Sequence, residues 1–414
     1  MHDDRIMVLG AGPAGMAAAV KLAEAGQRVL VVDQSAAPGG AVHRAPLPGV
    51  TASGLPAHKR RWSALMARAA RQVARIDIAC DTRCSGVDAR GAVLLTGGLT
   101  RLLRPRGVIV APGARERVLP RPGWTLPGVV TAGAIQTGLK TSGQAPAGRI
   151  LLAGSGPFLL AVGAELTALG TPPVAIIEAA QPLKPAALGL PISYWAEAVR
   201  YRLSLAAAGV KVLTGARLDT ISPGLVANIT TRDGKREFQA DLIGLHDGVA
   251  SNDTGLGAQS AIPIMRAGDG REVLGARAAM QDGTRAALAM LATLAGRPAP
   301  AEPTTLIRQR RAQARLAQLY AHDEIGALNS LPKDTILCRC EGRTLADLDA
   351  LGRAPTARDL RLTGRFGMGA CQGRFCAEWV AHFSNTQDLG RPRLPLRPIA
   401  IADLLAVPTT DIGD

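Results

Sequence analysis

At 414 residues, with 47% hydrophobic but only 3% aromatic side chains, the chain is longer than one hydrophobic core normally serves and suits two or three domains built mainly from aliphatic residues. Its 48 Lys and Arg against 33 Asp and Glu give a formal charge of +15, but the arginines are scattered and no recognition-helix or zinc-finger spacing occurs, so a solvated basic surface is expected and nucleic-acid binding is not. No stretch is long and apolar enough to span a bilayer, and strand-forming residues begin within a few positions of Met1, so a cytoplasmic protein is expected, with peripheral attachment at the inner membrane left open.

The apolar run Ile6–Leu9 leads into a glycine turn, an alanine-rich helical pattern over Pro13–Ala25, and a second run Val29–Val32. This is strand, turn, helix, strand. Gly107–Val110 reads as a buried strand ending in the turn Ala111-Pro112-Gly113, and the Pro/Gly-punctuated Pro120–Gly128 as a connector. The first grammar returns at Arg149–Ala153, with the turn Gly154-Ser155-Gly156, a helix over Phe158–Leu169 and a strand Val174–Glu178. Two βαβ units imply two nucleotide-binding-type lobes in an α/β fold. A helical stretch over Ala276–Ala295 precedes the proline-rich linker Arg297–Pro303, and a basic helix at about Leu306–Tyr320 leads to a cysteine-rich end.

Gly10-Ala11-Gly12-Pro13-Ala14-Gly15 opens a helix directly after a strand, and Asp33 closes the next strand. Gly10 permits the tight turn, Gly12 lets backbone approach a pyrophosphate, Gly15 permits close helix–strand packing, and Asp33 is placed to accept from a ribose. Together with the later pair Gly268-Asp269, the loop Pro38-Gly39-Gly40 and the turn ending at Gly113, these residues resemble the two-dinucleotide-binding flavoproteins. That resemblance implies FAD along Gly10, Gly12, Ala14, Gly15, Asp33, Gly40, Gly113, Gly268 and Asp269. The second motif is poorer. Gly154 and Gly156 are present, but Leu159 stands where a third glycine belongs and should push the helix from the strand. With Glu178 as a ribose acid, this lobe either holds NAD or another adenine nucleotide, or is kept for packing alone. Pro263 and Arg266 are expected to weaken any strand before Gly268 in the short segment from Gly257.

Four of the six cysteines, Cys338, Cys340, Cys371 and Cys376, fall in two pairs, C-x-C and C-x₄-C, the second pair flanked and separated by glycines. Four thiolates suit zinc or an iron–sulfur cluster. The spacing departs from the usual zinc knuckle but leaves the cluster type open. Cys80 and Cys84 lack redox C-x-x-C spacing and are expected to be incidental. His43, His58, His246, His322 and His382 are isolated and expected to be structural.

Cys338-Arg339-Cys340-Glu341 with the later Gly367-Met368-Gly369-Ala370-Cys371-Gln372-Gly373-Arg374-Phe375-Cys376, together with the connector Pro122–Gly133, resembles the bacterioferritin-associated-ferredoxin-like [2Fe-2S] module of the flavoprotein subunits of opine oxidases, D-hydroxyproline and related proline dehydrogenases, and hydrogen cyanide synthase. The resemblance runs over nearly the whole chain. It implies a two-dinucleotide-binding flavoprotein fold with a small, mainly helical iron–sulfur domain: FAD on residues 1–140 and 240–296, a second Rossmann-like domain on 141–239, linker and helix on 297–330, and a [2Fe-2S] domain on 331–400 with the four cysteines as ligands. It further implies an electron-transfer subunit of a heteromeric amino-acid or imino-acid dehydrogenase. A second, amino-acid-oxidase-like flavoprotein subunit would carry the substrate site, and a small ferredoxin-like subunit could join them. The alternative is a self-contained NADH-dependent reductase. No catalytic residue is identified.

Overall fold

The computed structural model describes residues 2–50, 56–182, 189–252, 256, 260–386, 389 and 394–408. Gly257 to Gln259 and the side chain of His58, both named above, lie outside the described residues.

The first domain is built on a parallel sheet whose strands lie in the order Ile264–Arg266, Gly107–Val110, Ile6–Leu9, Val29–Val32, Ile76–Ala79. Its central strands are buried on both faces, so they read as continuous apolar runs rather than alternating ones. The direction in which strands are added reverses between Ile6–Leu9 and Gly107–Val110, which places a ligand crevice beyond their carboxyl ends. The helices Pro13–Glu24 and Ala276–Leu294 pack against this sheet and each other. Their approach is set by small residues: a Cβ on Gly283 would lie 2.0 Å from the Ala14 carbonyl oxygen. Contrary to the expectation from Pro263 and Arg266, a strand does form before Gly268. It is three residues long, at the sheet edge, and Pro263 serves only as an acceptor, its carbonyl taking the Val108 N–H at 2.9 Å. A proline at an edge costs the ladder nothing.

The second lobe repeats the design, with parallel strands in the order Lys211–Thr214, Ala175–Glu178, Ile150–Gly154, Leu242–His246, Val129–Thr131. A three-stranded antiparallel sheet, Arg217–Ser222, Val226–Thr231 and Gly234–Gln239, covers one side. Two antiparallel crossings, Ala114–Glu116 and Val249–Ser251, join the lobes. Leu159 is fully buried among Leu152, Val162, Leu166 and Ile176. Close packing of its helix falls instead to Gly163, whose Cβ would lie 2.7 Å from Ile176 Cδ1.

After the linker, the helix Thr304–Leu319 leads to a small cysteine-bearing domain: a short hairpin, Ile336–Cys338 with Arg343–Thr344, and the helices Leu345–Asp349, Ala357–Leu362 and Ala377–Ser384. Capping boxes at Thr344/Asp347 and Thr356/Asp359 start the first two helices. The chain then returns to the first domain, where Leu396 is buried beside Met7, Val93 and Val108.

Candidate functional site

Four separated segments of the first motif set converge at the carboxyl end of the first sheet. A Cβ on Gly10, which sits at φ +107°, would lie 2.3 Å from the Ala111 carbonyl oxygen; one on Gly15, 1.7 Å from the Gly10 oxygen; one on Gly268, 2.5 Å from Ala14 Cβ; and one on Gly270, 2.4 Å from Pro112. These glycines are required by contact within the protein. Gly12 is different. Its backbone, φ −74° and ψ −176°, suits any residue, and its Cβ would touch only Gly40 Cα, at 3.8 Å. The bare backbone at Gly12 leaves open space at the N-terminus of the helix that begins at Pro13, where N–H groups and the helix dipole favour an anion.

Asp33, nearly buried, accepts from the Ala11 N–H at 2.6 Å and the Ser35 N–H at 2.7 Å, which fixes its carboxylate at the crevice with lone pairs remaining. Asp269 Oδ1 accepts from the N–H groups of Leu274 and Gly275 at 3.0 and 3.1 Å, and burial raises its pKa. The turn that carries it is held by a residue the motif reading missed. Asp282, 2% exposed, accepts from the Gly268 N–H at 2.7 Å and pairs with Arg271 and Arg285 at 2.8 and 2.5 Å. Asn252 donates its backbone N–H to the Gly113 carbonyl at 3.1 Å, and its buried Oδ1 has no partner among the described residues.

In the second lobe Gly154 and Gly156 both have positive φ, as a tight turn requires. Glu178 is turned onto its own loop, accepting from Gly156 N–H and Ala180 N–H, each at 2.9 Å, with Ser155 Oγ 2.8 Å away. Burial raises its pKa. His246, isolated in the sequence, is buried and bonds Glu116 through Nδ1 at 2.7 Å, while Glu116 accepts from the Gly133 N–H. That pair ties the crossing strand to the helix that starts at Ala132.

The four C-terminal cysteines come together in two pairs. The Cys376 thiol hydrogen bonds to Cys338, and Cys340 lies against Cys371. Hydrogen bonding from Cys376, aided by the backbone of Gly367, Glu341 and Cys340, holds Cys338 down at about 6. The same bond, with burial, pushes Cys376 up. The glycine loop lies directly on the cysteine hairpin: a Cβ on Gly369 would be 2.3 Å from Cys340 Cβ. Among the described residues no three metal-ligating side chains converge as a single-ion site would require. Cys80 and Cys84 are free thiols in the first domain, and burial pushes Cys84 up to about 12, so neither has the character of a reactive thiol.

The connector seats this thiol domain. Trp124, 1% exposed, donates its indole N–H to the Ile336 carbonyl at 2.7 Å, and Arg339 donates to the Val129 carbonyl at 3.0 Å. Arg117, at the end of the crossing strand, reaches Glu378 at 2.6 Å, Glu324 at 3.0 Å and the Asp247 carbonyl at 3.1 Å, and lies 5.2 Å over the Trp379 ring. Burial lowers the pKa of Arg115, and the nearby Glu378 and Cys371 partly restore it. Nothing in the local sequence marks Arg117, because its carboxylate partners lie more than 200 residues away.

Residues 4–271 match the pyridine nucleotide-disulphide oxidoreductase family, and the chain belongs to that family of flavin oxidoreductases, for which FAD is the implied cofactor. Its full length corresponds to a narrower group, the opine oxidase A subunits and their relatives. It is 33% identical to the opine oxidase A subunit of Agrobacterium tumefaciens (strain Ach5) over 98% of this chain and 92% of that one. It is 30% identical to hydrogen cyanide synthase subunit HcnB of Pseudomonas aeruginosa (PAO1) over 95% and 97%. The fold matches L-proline dehydrogenase from P. horikoshii with a TM-score of 0.64 at 15% identity, covering 98% of this chain and 79% of that one.

Proposed function

We propose that this protein is the electron-transferring subunit of a heteromeric dehydrogenase for amino or imino acids of the opine, hydroxyproline or proline kind, holding FAD in the first domain and a [2Fe-2S] cluster on Cys338, Cys340, Cys371 and Cys376. The observation that carries the reading is the meeting of Cys338 with Cys376 and of Cys340 with Cys371 in a domain that Trp124 and Arg339 seat on the connector. Two pairs of thiolates suit a two-iron cluster, since each iron takes two. Backbone hydrogen bonding at Cys338 is the kind that tunes such a group.

For FAD, Gly12 leaves room for the pyrophosphate, Asp33 faces the ribose, and Asp269 keeps Oδ2 without a partner among the described residues for the ribityl–phosphate region. When bound, the flavin supplies two-electron and the cluster one-electron chemistry. The chain's own work is to hold both groups on one rigid frame. Trp124 and Arg339 fix the cysteine strand to the connector, and Arg117 fixes the helix that follows Cys376. Desolvated positive charge on Arg115 and Arg374 near Cys371 favours an added electron there.

Amine oxidation needs a pocket that holds the substrate carboxylate against a flavin, and no residue set in this chain is identified for it. The relatives' names call them subunits, which supports a partner that carries the substrate site. The test assays the FAD- and iron-loaded chain, alone and with its co-purified partner, against imino acids and opines with an artificial electron acceptor. Turnover only with the partner is expected, and robust turnover by the chain alone would refute this division of labour.

A further inference from the structure

The crevice of the second lobe has the glycine turn and acid of a dinucleotide site, yet its ribose side is already filled. Ser155 Oγ lies 3.1 Å from the carbonyl oxygen of Tyr320 as well as 2.8 Å from Glu178. Tyr320 closes over Glu178, Leu159, Arg202 and Thr214, leaving a cavity of about 20 Å³. That is room for about one water, whereas small-molecule sites typically span about 300–1,000 Å³. In the first lobe Asp33 is engaged by its own loop and by Ser35.

Tyr320 is delivered by a helix tied on both sides of the cleft between the lobes. At its start, Leu306 is buried with Leu274 and Ala278 of the first domain. Arg310 pairs with Glu272 at 2.6 Å and Glu302 at 2.9 Å. Gln313 donates to the Leu274 carbonyl at 3.3 Å and to the Tyr194 hydroxyl of the second lobe at 3.1 Å. Beyond Tyr320, Glu324 is held by Arg117. A segment anchored before and after the crevice cannot leave it by a side-chain rotation; the helix end has to move.

We infer that Tyr320 is a specificity-determining residue: the helix Thr304–Leu319 straps it into the ribose side of the second lobe, so that NADH and other adenine nucleotides are excluded. The Gly154, Gly156 and Glu178 pattern is then a dinucleotide site filled by the chain itself. This inference depends on FAD in the first lobe only as a means of keeping that lobe occupied.

The test is calorimetric titration of the FAD-loaded full chain with ADP and with NADH, flavin content being read separately from absorbance. The wild-type protein should show no saturable binding of either at millimolar concentration, and NADH should not bleach its flavin. Tyr320→Ala should gain ADP binding by at least about tenfold, because apparent affinity scales with the fraction of open molecules. If that variant does not fold, Arg310→Ala, which loosens the strap without touching the crevice, should gain in the same direction. Binding by the wild-type chain, or no gain in whichever variant folds, overturns the inference. Loss of flavin instead reports on the first lobe and leaves the strap to be judged from samples with full flavin content.

Discussion

Gly12 stands apart from the glycines that the fold itself needs. Its backbone is ordinary and its Cβ direction open, so Gly12→Val should leave the flavin-free protein within about 0.5 kcal/mol of wild type while FAD content drops sharply. Gly15→Ala drives a Cβ into the Gly10 carbonyl and should cost at least about 3 kcal/mol. Thermal melts of flavin-stripped protein beside flavin absorbance check both; equal FAD content in Gly12→Val would move the site elsewhere. Asp269 gives a pH-dependent counterpart. Burial raises its folded pKa above the unfolded value, so the native state holds the proton more tightly, and this group's contribution to stability falls as pH rises from the unfolded pKa through the folded one. Asp269→Asn keeps the Oδ1 acceptor used by Leu274 and Gly275 and removes the charge. The flavin-free variant should melt above wild type at neutral pH, with the gap closing below the ordinary carboxylate range; a lower melt at every pH would contradict this.

Among the elements, the crossing strand Ala114–Glu116 and the Arg117 that follows do the most to hold the parts together. Arg117 meets two carboxylates, a carbonyl and an aromatic face, so Arg117→Ala leaves Glu324 without this cation and Glu378 with only Arg115, 3.9 Å away. A loss of about 2–3 kcal/mol is expected in the seating of the thiol domain. It should appear as faster hydrogen exchange in Ala377–Ser384, with the first domain's core unchanged. Unchanged exchange there would mean that Trp124 and Arg339 suffice to seat the domain.

The elements also differ in how far the sequence made them legible. The strand–turn–helix units could be read because fully buried parallel strands are unbroken apolar runs and their turns demand glycine, as at Gly10 and Gly154. The four clustered cysteines stand out by their spacing, but their meeting as Cys338 with Cys376 and Cys340 with Cys371 could not be read there. Asp282, the Glu116–His246 pair, Arg117 and Tyr320 were not, since each acquires its role from a partner brought near only by the fold. The strand at Ile264–Arg266 was misjudged because proline's penalty depends on whether the position is an edge, which one sequence does not reveal.

At the scale of the whole molecule, the thiol domain, the two lobes and the strap helix form one frame on which two redox groups would sit. The first domain and the cysteine loop are separate cores, so loss of one group should spare the other: Cys371→Ser should remove the iron signal and leave FAD bound, with local loosening of the thiol domain because metal binding and folding are linked there. Iron content unchanged in that variant would take Cys371 out of the ligand set. The most direct test of the account is anaerobic purification of the full chain, followed by absorption and EPR spectroscopy with flavin, iron and acid-labile sulfide analysis. The account predicts flavin bands, one FAD per chain, iron and sulfide in equal amounts at two of each, and an EPR signal that appears on reduction. A colourless protein containing zinc in place of iron and sulfide would contradict it.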